Sequence, residues 1–179
     1  MNKEELVREL QAKAKKLRRG SLGVMKEMGM GWLGGSFSSA DFVTALFFYR
    51  MKHDPKRPHW PERDRLIISK GHSCEIFYAA LAEAGYIATA DLQTYSHCGS
   101  RLQTHVDCRT PGIDCSGGSL GLGLSFAVGA APASALKNAM RDGGAAASNE
   151  PTASSRPTSM ASRRSRKTAS KAVSQPGST

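Results

Sequence analysis

The sequence lacks long apolar runs and the cysteine pairs of zinc-binding proteins. No run among its 179 residues approaches the length of a membrane span, and the start MNKEELVRELQAKAKKLRRG lacks the apolar centre of a signal peptide. We therefore predict a cytoplasmic protein. The four cysteines form no Cys-x-x-Cys pair and stand at positions 74, 98, 108 and 115, with His97 and His105 among them. Free thiols in a reducing compartment are the prediction, and a structural zinc is the alternative.

Two common phosphate-binding patterns are also missing from the glycine-rich segment CSGGSLGLGLSFAVGAA (115–131). It contains neither G-x-G-x-x-G nor a phosphate loop ending in Gly-Lys-Ser/Thr. A glycine turn that feeds a helix nevertheless leaves backbone N–H groups free to bind an anion. Small residues at helical spacing would equally let a buried helix pack closely on a neighbour. The segment alone leaves both interpretations open.

The net charge of +10 is unevenly distributed along the chain. Residues 1–142 hold 19 Lys and Arg against 14 Asp and Glu, whereas residues 143–179 hold 6 against 1. Apart from Met160 and Val173, the hydrophobic residues of the second segment are alanines, which cannot offset the entropy of ordering it. We predict one domain over residues 1–142 and a disordered, basic Ser/Ala/Arg-rich tail over residues 143–179.

The first segment has the pattern of an α/β domain, with a parallel sheet covered by helices on both faces. Asn2 is predicted to cap a first helix that buries Leu6, Leu10, Ala14 and Leu17. The other predicted elements are a helix capped by Ser39 (40–51), a buried strand RLIIS (65–69), a helix ending at Gly85 (72–86) and a helix capped by Thr89 (89–96).

Three polar or aromatic positions are candidate site residues. His72 follows the predicted strand, where α/β proteins bind ligands, although it could instead satisfy local backbone groups. His105 lies in a polar, glycine-containing loop four residues after Arg101, which could bind an anion or pair with Asp107. Trp32 interrupts the loop GMGWLGGS and could form the wall of a pocket or anchor the core.

Five segments in order give a more specific indication than any one of these positions. They are GWLGGSFSSADFV, DPKRPHWPERDRLIISKGH, LAEAGY, GSRLQTHVDCRTPGID and GGSLGLGLSFAVGAA. Together they resemble the N-terminal part of transketolase, and most closely the separate N-terminal subunit of two-chain bacterial transketolases, over residues 5–138. The resemblance implies a thiamine diphosphate-binding fold, a two-carbon ketol transfer from a ketose to an aldose, and a place in carbohydrate metabolism of the pentose phosphate type.

The resemblance also implies roles for individual residues. His72 matches a histidine near the cofactor diphosphate and the substrate, and His105 matches one that holds the donor sugar, so both are predicted to be catalytic. The cofactor-binding turn corresponds to Gly118, Ser119 and Leu120. Arg101 and His105 are predicted to bind substrate, together with Trp32, which stands where the family has a histidine and cannot relay a proton.

Two parts of the family's active site, the cation ligands and the glutamate that activates the cofactor, are missing from this sequence. The Gly-Asp-Gly segment and the asparagine that hold Mg²⁺ on the diphosphate are not found in this sequence, so we predict no metal ligands in this chain. The change of composition at residue 143 suggests a truncated or frameshifted product that lacks the later strands of the sheet. A C-terminal transketolase subunit would supply the glutamate that activates the cofactor, in a dimer or heterotetramer acting on sugar phosphates. We expect the chain to be inactive alone.

Two alternatives of other classes accompany this prediction. The first is a non-catalytic chain, either a pseudogene product or a nonspecific nucleic-acid binder that uses its basic tail; nucleic-acid binding would weaken steeply with salt. The second is a zinc protein. A zinc protein built on the Cys/His cluster would retain metal on purification.

Overall fold

The computed structural model describes residues 2–147, with side chains as far as residue 137. The α-helices are α1 (Lys3–Met28), α2 (Leu33–Ala45), α3 (Cys74–Ala84) and α4 (Leu122–Ala147). A π-helical turn (Leu46–Arg50) follows α2, and a 3-10 helix (Thr89–Thr94) follows α3. Residues up to Met140 form one compact unit, and of the second unit only the continuation of α4 from Arg141 is described.

The first helix begins and ends where its sequence indicates. The Asn2 side chain accepts a hydrogen bond from the Glu5 N–H at 2.8 Å, and the Glu5 carboxylate accepts one from the Asn2 N–H at 3.0 Å. This capping box satisfies two of the donors left free at a helix start. At the other end, Gly29 adopts a left-handed conformation with φ 64°. The predicted cap is confirmed. Of the predicted apolar face, Ala14 and Leu17 are fully buried, whereas Leu6 and Leu10 are only partly buried.

Helices α1, α2 and α3 pack on one another around a single apolar core. Every residue from Cys74 to Leu81 is buried, so α3 is the central element of this core. It ends at Gly85, which is left-handed with φ 89°, as predicted. Further core side chains come from the other helices and the loops: Leu17, Val24, Val43, Phe47, Tyr95, Leu102, Val106 and Ile113.

Two helix starts differ from the prediction. Helix α2 begins at Leu33, so Ser39 is not its cap but lies inside it and donates a hydrogen bond to the Gly35 carbonyl at 3.0 Å. Of the four glycines that indicated a loop, Gly34 and Gly35 are included in the helix, whereas Gly29 and Gly31 precede it. Residues 89–94 form a 3-10 helix, and Thr89 is its first residue rather than its cap; the preceding Ala88 N–H donates to the Asp91 carboxylate.

The strand predicted at residues 65–69 is not formed, and residues 2–147 contain no strand. Residues 65–68 have no regular secondary structure, Ser69 lies in a bend, and no described segment pairs with them as a strand. The Leu66 N–H donates to the Asp114 carboxylate at 3.1 Å, and the Ser69 carbonyl accepts from the Gly121 N–H at 2.9 Å. Because a strand needs a continuous ladder with another segment, these single bonds do not make one. The predicted parallel sheet is therefore absent from the described residues.

A buried ion pair joins the two long loops of the domain. Arg63 and Asp114 are 51 residues apart, and each side chain is only 6% exposed. Two guanidinium nitrogens of Arg63 donate to the two Asp114 oxygens, and Arg63 also donates to the Pro58 carbonyl. Such a bidentate pair fixes geometry as well as charge. It holds residues 58–66 against the loop that precedes α4.

Helix α4 differs from the other three because its apolar side chains face solvent. The α4 apolar surface consists of Leu122, Leu124, Phe126, Val128 and Leu136, each about half exposed or more. The helix continues to Ala147, so residues 143–147 of the predicted disordered tail are helical; the rest of that prediction lies outside the described residues. Within residues 2–147, no helix is both long and apolar enough to cross a membrane.

Candidate active site

The structure brings together three of the residues predicted to form the site. The indole of Trp32 lies against the imidazole of His72, with ring centroids 6.0 Å apart, and against that of His105 at 5.7 Å. All three side chains are partly exposed to solvent, and Trp32 is 37% exposed. Two histidines beside one aromatic wall can donate to an anion or move protons at a bound ligand.

Backbone hydrogen bonds explain why the segments that carry the two histidines lie close together. The Val106 N–H donates to the Gly71 carbonyl at 3.2 Å, and the Val106 carbonyl accepts from the Gly117 N–H at 3.0 Å. A Cβ on Gly71 would come within 2.8 Å of the Gly117 backbone, so only glycine permits this approach. The neighbours of these residues in sequence, His72, His105 and Gly118, are thereby held in one region.

The glycine-rich segment contains one glycine that permits close packing and one that leaves space for a ligand, so both interpretations of its sequence apply. A Cβ on Gly123 would come within 2.6 Å of the Ser69 backbone, which is the close packing expected of a small residue. A Cβ on Gly118 would meet nothing within 4 Å, and Gly118, Ser119 and Leu120 are all exposed. In the described part of the chain, no hydrogen bond from the backbone N–H groups of these three residues is found. The turn can therefore accept an anion.

Sequence reasoning missed Glu75, which lies directly behind this cluster. Its side chain is fully buried, and its carboxylate accepts hydrogen bonds from the Trp32 N–H at 3.0 Å, the Ser36 hydroxyl at 2.7 Å and the Tyr95 hydroxyl at 3.0 Å. A signal was present, because Glu75 is the one charged residue in the apolar run CEIFYAALA. A charge at such a position is seldom buried without partners.

Two other residues tie the start of α2 to the segment before α3. The Lys70 ammonium donates to the Gly35 carbonyl at 2.9 Å and to the Ser38 hydroxyl at 3.1 Å. Ser73 is packed against Gly35 so closely that a Cβ there would collide with its hydroxyl. The Ser73 hydroxyl is buried and finds no hydrogen-bond partner among the described residues. The start of α2 therefore packs closely on the segment before α3, and this packing supports the cluster.

Arg101 lies apart from this cluster. It lines a cavity of about 430 Å³ together with residues of the 3-10 helix and the following loop, among them Asp91, His97 and Ser100. The suggested pair with Asp107 is not formed. Asp107 instead accepts hydrogen bonds from Arg109, which lower the pKa of its carboxyl below the usual value. Among the described residues, Arg101 forms no ion pair.

The described residues contain no group of three His, Cys, Asp or Glu side chains arranged to hold a metal ion. The four cysteines are free thiols and form no disulfide with one another. Cys74 is buried, and burial, with a smaller contribution from the neighbouring Glu75 carboxylate, raises its pKa to about 12. This thiol is therefore unsuited to act as a nucleophile or a ligand near neutral pH.

Comparison with known proteins identifies the family. Residues 10–150 match the family model described as transketolase, thiamine diphosphate binding domain. The chain is 47% identical over 124 residues to the 6-deoxy-6-sulfo-D-fructose transketolase subunit SqwG of Clostridium sp. (strain MSTE9), which spans 69% of this chain and 45% of that protein. It is 42% identical over 136 residues to one of the subunits of the apulose-4-phosphate transketolase of Actinobacillus succinogenes, spanning 74% of this chain and 49% of that protein.

Solved structures give the same result. The transketolase of Campylobacter jejuni matches with a TM-score of 0.65 and 34% identity over 72% of this chain and 20% of its own. That of Leishmania mexicana matches with a TM-score of 0.65 and 32% identity over 67% of this chain and 18% of its own. The chain thus spans about half the length of the curated subunits it matches. From its family match, its relatives and its structural neighbours, the chain belongs to the transketolase family and corresponds to the thiamine diphosphate-binding domain.

Proposed function

We propose that this chain acts as the N-terminal subunit of a two-chain transketolase, which transfers a two-carbon ketol unit from a ketose to an aldose, although it covers only about half of such a subunit. Two of its relatives are named as transketolase subunits, and the chain matches about half of each. The observation that carries the proposal is the cluster of Trp32, His72 and His105, which lies in the region of the open turn at Gly118.

The open turn fits the diphosphate of the cofactor. The exposed residues Gly118, Ser119 and Leu120 have three consecutive N–H groups without an acceptor in the described part of the chain, and Gly118 leaves room for a ligand to approach the backbone. Leu120 is 71% exposed and offers an apolar contact to a ring. When bound, thiamine diphosphate supplies the electron sink that cleavage of a carbon–carbon bond next to a carbonyl requires.

The side chains of this chain would orient the reactants and handle protons. We propose that His72 donates a hydrogen bond toward the diphosphate or the sugar, and that His105 holds and protonates an oxygen of the donor sugar. Trp32 forms the wall beside both histidines and restricts the shape of the sugar without moving a proton. The family's cation, Mg²⁺, has no ligand set among the described residues, so no step is assigned to it.

The names of the relatives suggest the substrate class. One is named for a sulfo-sugar and the other for a sugar phosphate, so both names imply an anionic group on the ketose. We propose a ketose with a terminal phosphate or sulfonate as the donor. Arg101, four residues before His105 and without an ion pair among the described residues, is the proposed partner of that group.

The proposed partner is a C-terminal transketolase subunit, which would complete the site from the opposite side in a dimer or heterotetramer. A cytoplasmic location remains a prediction of the sequence. This arrangement requires that the chain alone have no transferase activity and that mixing it with the second subunit create it.

A titration and an assay test the proposal. The full chain is titrated with thiamine diphosphate and Mg²⁺ by calorimetry, alone and with a candidate C-terminal subunit, and transfer is then assayed with apulose 4-phosphate and 6-deoxy-6-sulfo-D-fructose as donors. We expect saturable cofactor binding and activity in the mixture. In that mixture His105→Asn should lower kcat/KM by roughly 100-fold or more, since general acid or base catalysis contributes about that much.

The matched control is His59→Gln, which removes an exposed histidine outside the cluster. It should leave the transfer rate unchanged. No heat and no transfer in the mixture, with a folded chain and a competent second subunit, would refute the proposed function.

A further inference from the structure

Glu75 is a buried carboxylate that the proposed chemistry does not use. It is 0% exposed, and its three hydrogen-bond donors come from three different segments: the loop before α2, α2 itself and the end of the 3-10 helix. Each donor is a neutral group. Among the described residues, no lysine, arginine or histidine forms an ion pair with it.

Burying a carboxylate in an apolar helix is costly unless hydrogen bonds compensate for the lost water. An apolar side chain would fill the same place in the core without that cost, since its neighbours Cys74, Ile76 and Phe77 are all buried. The three donors are therefore what the carboxylate contributes beyond packing. Two of them, the Trp32 N–H and the Tyr95 hydroxyl, share the oxygen Oε1.

A second observation places the loop before α2 directly on this oxygen. A Cβ on Gly31 would lie 2.8 Å from Glu75 Oε1 and would collide with the Met25 side chain. A side chain at position 31 would consequently displace Met25 or the Glu75 carboxylate that accepts from the Trp32 N–H, whereas glycine leaves both in place. The sequence Gly31-Trp32 and the acid at position 75 thus fit one another as a unit.

We infer that Glu75 is a positioning residue, which fixes the backbone of Trp32 so that the indole stays in contact with both His72 and His105. The assignment of this effect to sugar recognition rests on the proposed function. The positioning itself concerns only residues of this chain.

Tryptophan fluorescence measures the position of Trp32 without cofactor or partner. The full chain contains two tryptophans, so the experiment uses a Trp60→Phe background. The phenylalanine keeps an aromatic ring beside Lys52 and Arg57, both of which contact the Trp60 ring. Quenching by acrylamide and the emission maximum then report Trp32 alone. Glu75→Leu removes the acceptor and keeps an apolar core.

In Glu75→Leu we expect a red-shifted emission and roughly twofold faster quenching, as the loop before α2 opens locally. Glu75→Gln should restore the parent values. Its amide oxygen can accept from Trp32 and Tyr95, while its NH₂ group donates to Ser36, whose hydroxyl turns to accept. A purely structural need for bulk would be met by leucine and would not give this order.

Gly31→Ala provides an independent test that leaves α3 unchanged, and it should also speed quenching. Its matched control is Gly23→Ala, where a Cβ on the exposed side of α1 would meet nothing within 4 Å. Unchanged quenching in a cooperatively folded Glu75→Leu overturns the inference. If Glu75→Leu does not fold, unchanged quenching in Gly31→Ala overturns it.

Kinetics with the second subunit separate this inference from the proposed function. If the mixture is active, Gly31→Ala should raise KM for the donor sugar more than it lowers kcat, because the wall moves while the histidines remain. If the mixture is inactive, the proposed function fails, but the fluorescence order of Leu, Gln and parent still decides the positioning.

Discussion

Asp114 neutralises Arg63 in a site from which water is almost excluded, with 6% of each side chain exposed. The exposed Arg65 guanidinium also reaches Asp114, at 3.1 Å, and the Leu66 N–H donates to it. The Asp114 carboxylate therefore binds Arg63, Arg65 and Leu66, and so fixes the segment that leads to His72. The relationship is a stabilising one only while both charges are present.

Asp114→Ala should lower the free energy of unfolding by about 3–5 kcal/mol, because it leaves the buried Arg63 charge uncompensated. Urea denaturation measures the loss. The control is Asp41→Ala, which removes an exposed partner of Arg18 and should cost no more than about 1 kcal/mol. Equal losses in the two variants would contradict the assignment of a buried pair.

Gly71→Ala should destabilise the chain by about 1–3 kcal/mol, because its new Cβ would be forced against the Gly117 backbone, which cannot move as a side chain can. Gly34→Ala is the control. It adds the same methyl in α2, where nothing lies within 4 Å, and it should stabilise the helix by about 0.5–1 kcal/mol. Thermal melts of the two variants should therefore shift in opposite directions, and a parallel shift would count against the close contact.

The buried thiol of Cys74 should make the fold sensitive to alkali. Its pKa is about 12 in the folded chain against an ordinary 9.0, so above pH 9 the unfolded chain loses a proton that the folded chain keeps. The stability is complete below pH 9 and is lost as pH rises toward 12, by about 1.4 kcal/mol per pH unit. Burial also raises the pKa values of Tyr78 and Tyr95, which extends the loss to higher pH.

Urea denaturation between pH 8 and 10 measures this dependence. Cys74→Ala should flatten the decline above pH 9, apart from a constant loss due to the smaller side chain. Cys98→Ala removes an exposed thiol and should leave the slope as it is. The prediction fails if the two substitutions change the slope equally.

The α4 apolar surface should promote association of the isolated chain. Leu124 and Val128 lie one helical turn apart and are 67% and 66% exposed. The double variant Leu124→Glu, Val128→Glu should lower light scattering at a given concentration, because contiguous exposed apolar side chains favour aggregation. Leu22→Glu, on the exposed side of α1, is the matched control, and a comparable reduction by that variant would argue against a specific role of α4.

Elements with local signals were predictable from the sequence, and those that depend on distant partners were not. Asn2 and Gly85 mark helix ends by chemistry that acts within a turn, and both were placed correctly. The strand at 65–69 required a neighbouring strand, and its apolar run could not show that the neighbour is missing from the described residues. The start of α2 was misplaced because Gly34 and Gly35 are weak helix formers, and the sequence could not show that Gly35 packs against Ser73 and accepts a hydrogen bond from Lys70.

The candidate site divides in the same way. His72, His105 and Trp32 were identified by family resemblance, and the structure brings them together. Arg101 was identified with them but lines a cavity to which none of the three contributes. Glu75 was missed because its partners lie at residues 32, 36 and 95, and no local pattern connects those positions.

The hydrogen bond from Trp32 to Glu75 also joins the loop before α2 to the most buried helix of the core. The Trp32 amide proton belongs to a solvent-exposed residue, yet its acceptor sits on the most buried helix of the core. Its exchange with deuterated water should require opening of α3, so it should persist as long as the core amides of Ile76 and Phe77. A surface loop would then carry the kinetic signature of the interior, and the wall of the candidate site would stay ordered until the domain itself begins to unfold.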